Sequence, residues 1–453
     1  RLGIAARAAA GLTLAALALL LSGQLREPDI TARYLPGLLI GLVALILALL
    51  LLRPLVRRLY GAGGVVLTGR EERILFGIFL FGAAAHLAGV VFPNFQAHDM
   101  PFEVHRVEDI LRGHYLLSVV SSEWGYRRTP YPPALYMLVA PFAALSKNLS
   151  GDLALPLRLL PPLIDATSAF LIFYLLRRCR VPDPAPLLAA FCYTLIPATY
   201  QLLWWGFFSN LFGQWATLAV VTLAVAHYAD LARPKYFAAL VVLMALALLS
   251  HPGTFVLTVA LIPLLALALA FTAGREHGRR GAALLLAALA VSGALVFLLY
   301  YRHFTDLVVG QARDLLAGAG DTAAADERGW EDDYIRLRLF AFPFALYFVA
   351  AWVAGVRLAL LRGWERTLGW LVVAVLLTAT LFGAIHVIVG VWVRYFVFAS
   401  PALAIGAGVA LAWLVARGRW GQGLAYLALA YFTGASLLFW LGVTIGGLRS
   451  PYP

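Results

Sequence analysis

Thirteen apolar runs, most of them long enough to cross a bilayer, dominate this 453-residue chain and leave it little choice of fold. A helix needs about 20 apolar residues to cross roughly 30 Å of hydrocarbon. The first three runs are Ala8 to Gly23, Leu35 to Leu52 and Ile74 to Phe92. Six follow in the middle: Leu159 to Leu176, Pro186 to Leu203, Leu211 to Leu231, Tyr236 to Leu249, Phe255 to Phe271 and Ala282 to Tyr300. The last four are Leu339 to Leu360, Leu368 to Val389, Tyr395 to Ala416 and Leu424 to Ile445. Tyr236 to Leu249 is the shortest, parted from its successor only by Ser250-His251-Pro252-Gly253-Thr254, as in a tight helical hairpin. The expected fold class is all-α: a polytopic transmembrane helical bundle of about 13 spans, with external juxtamembrane helices. Residues 1–453 form a single transmembrane domain in this reading. It is interrupted by a first external loop at 93–158 and a mobile external loop at 301–338.

Composition agrees. Hydrophobic residues make up 62% of the chain and charged ones 13%, with a mean hydropathy of +0.85. A soluble domain is near half apolar and a quarter charged. The net charge of +12 would suggest nucleic acid in a soluble protein. Here the charges sit between apolar runs, so the expected partner is membrane lipid, with no nucleic acid. Two cysteines, Cys179 and Cys192, exclude a disulfide framework and a four-thiolate zinc site.

Arginine placement predicts sidedness. If the short run Tyr131 to Leu145 stays on one side, seven segments share a face. Together they carry 20 basic residues and six acids, against 15 and 17 on the opposite face. Among the 20 are Arg53, Arg57, Arg58, Arg70, Arg73, Arg177, Arg178 and Arg180. The positive face is then cytoplasmic, the N-terminus inside and the C-terminus outside. Arg1 and Arg7 before an apolar run imitate a secretory signal, but no Ala-x-Ala site follows, so the run is read as a helix.

Polar and aromatic oddities gather on the external side. From Pro101, the residues Phe102, Val104, Val107, Ile110 and Leu111 recur at helical spacing, and Gly113 suits the exit. This predicts a short amphipathic helix along the membrane surface. Asp99 falls at its start, where it would cap the helix and sit in a favourable dipole. Capping and catalysis are compatible, because a cap would hold the carboxylate in one orientation. His98, Asp99 and Glu103 are candidate ligands for a divalent cation, though two carboxylates and a histidine on a short helix specify one weakly. Next come Trp124-Gly125-Tyr126 and Tyr131-Pro132-Pro133, whose prolines enforce an extended entry to a partly buried, externally anchored helix.

Three further external turns stand out. Trp204-Trp205-Gly206-Phe207-Phe208-Ser209-Asn210 reads mainly as aromatic belt. His251 lies at an external helix end. Arg394 is an isolated cation that would either snorkel to the interface or fork a phosphate. Within the spans, Asp165, His227 and His386 are the ionisable positions identified, and Asp165 could pair with Arg158 two turns earlier. A secondary transporter or flippase, the alternative function, would bury more charge and break helices in matching halves.

The order His98-Asp99-x-Pro101-Phe102-x-x-His105, a short helix, an aromatic turn, then Tyr131-Pro132-Pro133-x-x-Tyr136 resembles the integral-membrane glycosyltransferases of the GT-C superfamily. The likeness is to members related to the aminoarabinose and dolichyl-phosphate-mannose-dependent transferases. It implies an inverting enzyme that moves a sugar from a polyprenyl-phosphate carrier to a lipid, glycan or protein acceptor on the external face. Asp99 matches the family's acidic base, and Arg394 its late arginine on the leaving phosphate. His251 and His105 would add contacts to donor phosphate or sugar, and Tyr131, Trp204 and Trp205 would line the acceptor or lipid groove. Many members carry adjacent paired acids here; this chain has His98 before Asp99, and Glu103 next. No cofactor is required with certainty, and a divalent cation stays open. The 301–338 loop has eight acids, a helix expected through Leu307, Val308, Leu315 and Leu316, and a Gly/Ala/Asp stretch suited to a lid or a solvated linker.

Overall fold

The structure, a computed structural model, describes residues 11–20, 29–93, 95, 97–121, 127–272, 275–316, 330–389 and 398–445. It is helical almost throughout. Before the 93–158 segment come α1 (Gly11–Leu20), α2 (Ile30–Ala62) and α3 (Gly69–Val90). The loop itself holds α4 (Met100–Leu111), a hairpin of β1 (Ser118–Ser121) and β2 (Arg127–Pro130), and α5 (Ala134–Ser150). Then come α6 (Leu155–Ala166), α7 (Ser168–Arg178), α8 (Ala185–Thr194), α9 (Pro197–Trp205), α10 (Phe208–Ala226), α11 (Pro234–Leu248), α12 (Pro252–Thr272) and α13 (Arg275–Leu299). After α14 (Thr305–Leu316) the chain ends in α15 (Trp330–Ala359), α16 (Trp364–Val389), α17 (Ser400–Val415) and α18 (Arg419–Thr444).

Each of the thirteen apolar runs overlaps a helix. Among the described residues, nine helices are long and apolar enough to cross a membrane, counting α6 with α7 and α8 with α9 as single segments. Gly11–Leu20, Pro234–Leu248, Ala345–Ala359 and Ser400–Val415 are shorter apolar helices. The α6–α7 segment bends at Thr167, whose hydroxyl donates to Ile164 O at 2.6 Å and accepts from Trp215 Nε1 at 2.8 Å. α10 is buried along most of its length, whereas α2, α13 and α18 turn most of their apolar surface outward, as lipid-facing helices do.

Local chemistry explains the ends. Thr68 and Glu71 form a reciprocal capping box at the start of α3: Glu71 N donates to Thr68 Oγ1 at 3.2 Å, and Thr68 N donates to Glu71 Oε2 at 2.9 Å. On the same face, Arg53 and Arg57 donate to Glu72 at 2.7 and 2.6 Å, and Arg177 pairs with Glu71 and Asp183. The arginine-rich side is therefore partly self-neutralised.

Two expectations change. Asp165 does not pair with Arg158; it accepts from Tyr193 Oη at 2.6 Å, and Tyr193 in turn accepts from Gln214 Nε2 at 2.9 Å. The chain of hydroxyl and amide serves Oδ1 only; Asp165 Oδ2 is buried without a partner among the described residues. The first external loop also contains a hairpin that its sequence did not announce, with Ser118 opposite Pro130 and Ser121 opposite Arg127. The helix expected after Tyr131-Pro132-Pro133 is α5, with Pro141 inside it. In the acidic loop, the expected helix is α14, while residues 317–329 lie outside the described part and α15 begins already at Trp330.

Candidate functional site

The 93–133 loop and the α9–α10 turn are joined by main-chain groups. His98 N donates to Trp204 O at 3.0 Å, and Asp99 N donates to Trp205 O at 2.9 Å. Gly206, which ends α9, has a φ of +79°, and a Cβ there would stand 3.2 Å from Asp99 N and 3.3 Å from Met100 N. Only glycine adopts this backbone without strain, and only glycine leaves room for the loop. Gly206→Ala is expected to cost about 1–2 kcal/mol of backbone strain and to push residues 98–100 off the turn. Its signature would be a melting temperature lowered relative to wild type.

Asp99 occupies the N-cap position of α4 but makes no side-chain cap hydrogen bond. Its Oδ1 is 2.9 Å from His98 Nδ1, and its side chain is 35% exposed. A carboxylate can only accept, so Nδ1 carries the hydrogen. The carboxylate is thus free of helix duty, oriented by a histidine and open to solvent.

Tyr131 links the neighbouring elements. Its hydroxyl is 3.0 Å from Ser209 Oγ at the start of α10. Its ring meets Phe102 of α4 edge-on at 5.1 Å, His251 at 5.6 Å and Tyr136 at 6.1 Å. The His251 ring is fixed by Gly253 N, which donates to Nδ1 at 3.0 Å, so the neutral ring carries its proton on Nε2. Ala134 N donates to Leu249 O at 3.0 Å and ties α5 to the end of α11. Asp99, His98, Trp204, Trp205, Tyr131 and His251 therefore lie around one region formed by the loop, α4, α5, the α9–α10 turn and the start of α12.

Other candidates fall elsewhere. His105 sits 3.7 Å from Glu108 and 3.9 Å from Asp109 on the outer face of α4, away from Asp99. Glu103, expected beside His98 and Asp99, is 1% exposed and faces α5 instead. There burial, and the nearby Glu103 and Tyr131, push the Tyr136 phenol well above its ordinary value. Among the described residues no three His, Cys, Asp or Glu side chains gather as a metal-ligand set. Arg394, Trp124 and Tyr126 lie outside the described residues, as does the side chain of His386.

Some residues escaped the sequence reading. His86, buried in α3 and edge-on to Tyr200 at 5.2 Å, hides inside an apolar run. Gly206, Ser209 and Asn210 read as part of an aromatic turn. A glycine directly after a tryptophan pair was the available signal, since a helix exit with positive φ favours it.

This sequence matches no family model and no curated protein. Its fold, however, is similar to solved structures. The apo crystal structure of the Archaeoglobus fulgidus oligosaccharyltransferase superposes with a TM-score of 0.52 at 10% identity, over 82% of this chain and 56% of that one. AglB from the same organism, in complex with an inhibitory peptide and a dolichol-phosphate, gives 0.50 at 10% identity, over 83% and 56%. ArnT from Cupriavidus metallidurans, bound to undecaprenyl phosphate, gives 0.41 at 15% identity, over 82% and 72%. The chain spans little more than half the length of the oligosaccharyltransferase structures it matches. Identities this low speak for architecture alone: in fold this chain is similar to those polytopic helical membrane proteins.

Proposed function

We propose that this chain is an inverting glycosyltransferase that moves a sugar from a polyprenyl-phosphate carrier to a lipid, glycan or protein acceptor at the external membrane face. The observation that carries the reading is the Asp99 carboxylate, released from capping, oriented by His98 and fastened to the α9–α10 turn. The shared architecture supports it, since the archaeal AglB structure was obtained with a dolichol-phosphate. In the reaction, Asp99 takes the proton from an acceptor hydroxyl as that oxygen attacks the anomeric carbon. The bond from that carbon to the phosphate oxygen breaks, and the phosphate leaves with the electron pair. Inversion follows from attack opposite the leaving group. His251, a donor at Nε2, and Arg394 would receive the developing phosphate charge. Tyr131, Trp204 and Trp205 would frame the acceptor or the first part of the lipid, and His105 would serve only from the rim.

The test uses sealed membrane vesicles of known orientation that contain the full chain. A panel of tritiated monosaccharides on undecaprenyl phosphate and dolichyl phosphate is supplied with a mixed envelope-lipid and peptide acceptor pool. We expect label to pass to an acceptor, with free polyprenyl phosphate released, when the external face is accessible. A chelator added to the same vesicles decides whether a divalent cation takes part. If no member of the panel is turned over on either face, the reading is wrong.

A further inference from the structure

Arg158 stands on the buried face of α6. Three, four and seven residues further along that face are Pro161, Pro162 and Asp165, each of them buried. An arginine that snorkels to the lipid interface stands on the opposite face, so Arg158 points into the protein. It is half-buried, and no carboxylate or hydrogen-bond acceptor takes its side chain among the described residues. Asp165, the acid on its own face, is engaged by Tyr193 instead. The Nε of Arg158 is shut from solvent, whereas its two terminal nitrogens are not sealed. A half-buried guanidinium without a counter-charge is costly, and leucine would serve the packing of α6 better.

Its level in the fold follows from the register of the α6–α7 segment against α10. Asp165 reaches Gln214 through Tyr193, and Trp215 Nε1 donates to Thr167 Oγ1 at 2.8 Å. Both pairings rise together along the chain, so the two segments run parallel at this contact. Arg158 lies two turns back from Asp165, about 10 Å at the usual helical rise. The same step back from Gln214 reaches Phe207 and Phe208, beside Gly206, where a Cβ would stand 3.2 Å from Asp99 N. Leu157, next to Arg158, shares one core with Tyr136 of α5 and Phe208 of α10. Arg158 therefore brings an open, uncompensated cation to the level of the Asp99 turn.

We infer that Arg158 binds the phosphate of the polyprenyl carrier, an inference that rests on the glycosyltransferase reading. The two terminal nitrogens form the open edge of the guanidinium and can donate side by side to two phosphate oxygens. The phosphate supplies the negative charge that no residue around Arg158 provides. This cation is independent of Arg394 and comes from a different part of the chain. It acts on the charge of the carrier and makes no demand on the sugar.

The test compares wild type, Arg158→Gln and Arg158→Lys as full chains in phosphatidylcholine nanodiscs. Native mass spectrometry reads the binding of undecaprenyl phosphate, of the uncharged alcohol undecaprenol, and of phosphatidylglycerol. Melting temperature is read in parallel without ligand. We expect Arg158→Gln to lose at least tenfold on undecaprenyl phosphate, to bind undecaprenol within twofold of wild type, and to melt no lower. Arg158→Lys keeps the charge without the fork and should fall between wild type and Arg158→Gln. Unchanged binding of undecaprenyl phosphate in Arg158→Gln, or equal loss on the alcohol, overturns the inference. So does an Arg158→Lys that binds no better than Arg158→Gln, or a pair of variants that both melt far below wild type. An equal loss on phosphatidylglycerol assigns Arg158 to bulk lipid head groups and overturns it as well. A wild type that binds undecaprenyl phosphate no better than undecaprenol overturns the glycosyltransferase reading itself.

Discussion

Asp99→Asn is expected to leave the protein folded while lowering sugar transfer by about 10²- to 10⁴-fold, the usual contribution of a positioned general base. The structural consequences are small. The carboxylate makes no cap hydrogen bond, so the start of α4 loses only the favourable charge near its N-terminus, about 0.3–1 kcal/mol. The main-chain bond from Asp99 N to Trp205 O is untouched by the substitution. Asparagine still offers Oδ1 to His98 Nδ1, so the local geometry persists. What disappears is basicity: an amide cannot take the acceptor proton. His98→Ala serves as the companion, because it frees the carboxylate without removing it and should cost far less. Single-turnover transfer in vesicles, with melting temperature alongside, checks both. If Asp99→Asn retains wild-type rates, the base lies elsewhere; Glu103, buried against Tyr136, is then the next acid to examine.

The second large effect concerns the fold. Gly408→Val should abolish the monodisperse, folded protein altogether. Helix α17 is wedged between two neighbours, and its glycines touch backbone. A Cβ on Gly408 would lie 2.4 Å from Ala189 N and 2.5 Å from its Cα in α8. A Cβ on Gly406 would lie 2.2 Å from Ala351 Cα in α15. Side chains can turn aside from an added methyl, but a helix backbone cannot. Overpacking usually costs about 1–3 kcal/mol, and a clash with main chain on one side of a helix braced from the other exceeds that range. Small residues at such crossings let membrane helices approach, where lipid supplies no hydrophobic drive to hold them. The control is Gly423→Ala on α18, where nothing lies within 4 Å of the new methyl. It should elute and melt like wild type, and size-exclusion chromatography in detergent distinguishes the two variants directly.

How far the sequence reveals this molecule depends on which interactions are local. Apolar runs and arginine-bearing turns are local signals, and each of the thirteen runs overlaps a helix. The amphipathic helix after Asp99 was equally readable, because Pro101, the apolar spacing and Gly113 agree; the helix runs Met100–Leu111, and Gly113 has a φ of +85°. Long-range pairings left no such trace. Nothing near Asp165 in the chain points to Tyr193, and nothing near Asp99 points to Trp205 more than a hundred residues away. The preference of Asp for helix starts gave Asp99 a capping role that the folded chain does not use, because its backbone (φ −92°, ψ 11°) is not the extended conformation that turns a cap side chain onto the helix N–H groups. In sequence Glu103 was a candidate ligand, weakly specified, for a cation shared with His98 and Asp99. The roll of α4 against α5 turns it inward, and a one-dimensional pattern does not encode that roll strongly.

The bond between residues 98–99 and 204–205 is made by amide and carbonyl groups alone, with glycine filling the gap. Attachment at this mouth therefore does not depend on which indole, phenol or aliphatic group hangs from positions 204 and 205. Those side chains are at liberty to drift under selection for a new sugar or acceptor, while the carboxylate keeps its place. A scaffold that separates gripping from reading in this way is well suited to diversify its cargo without relearning its chemistry.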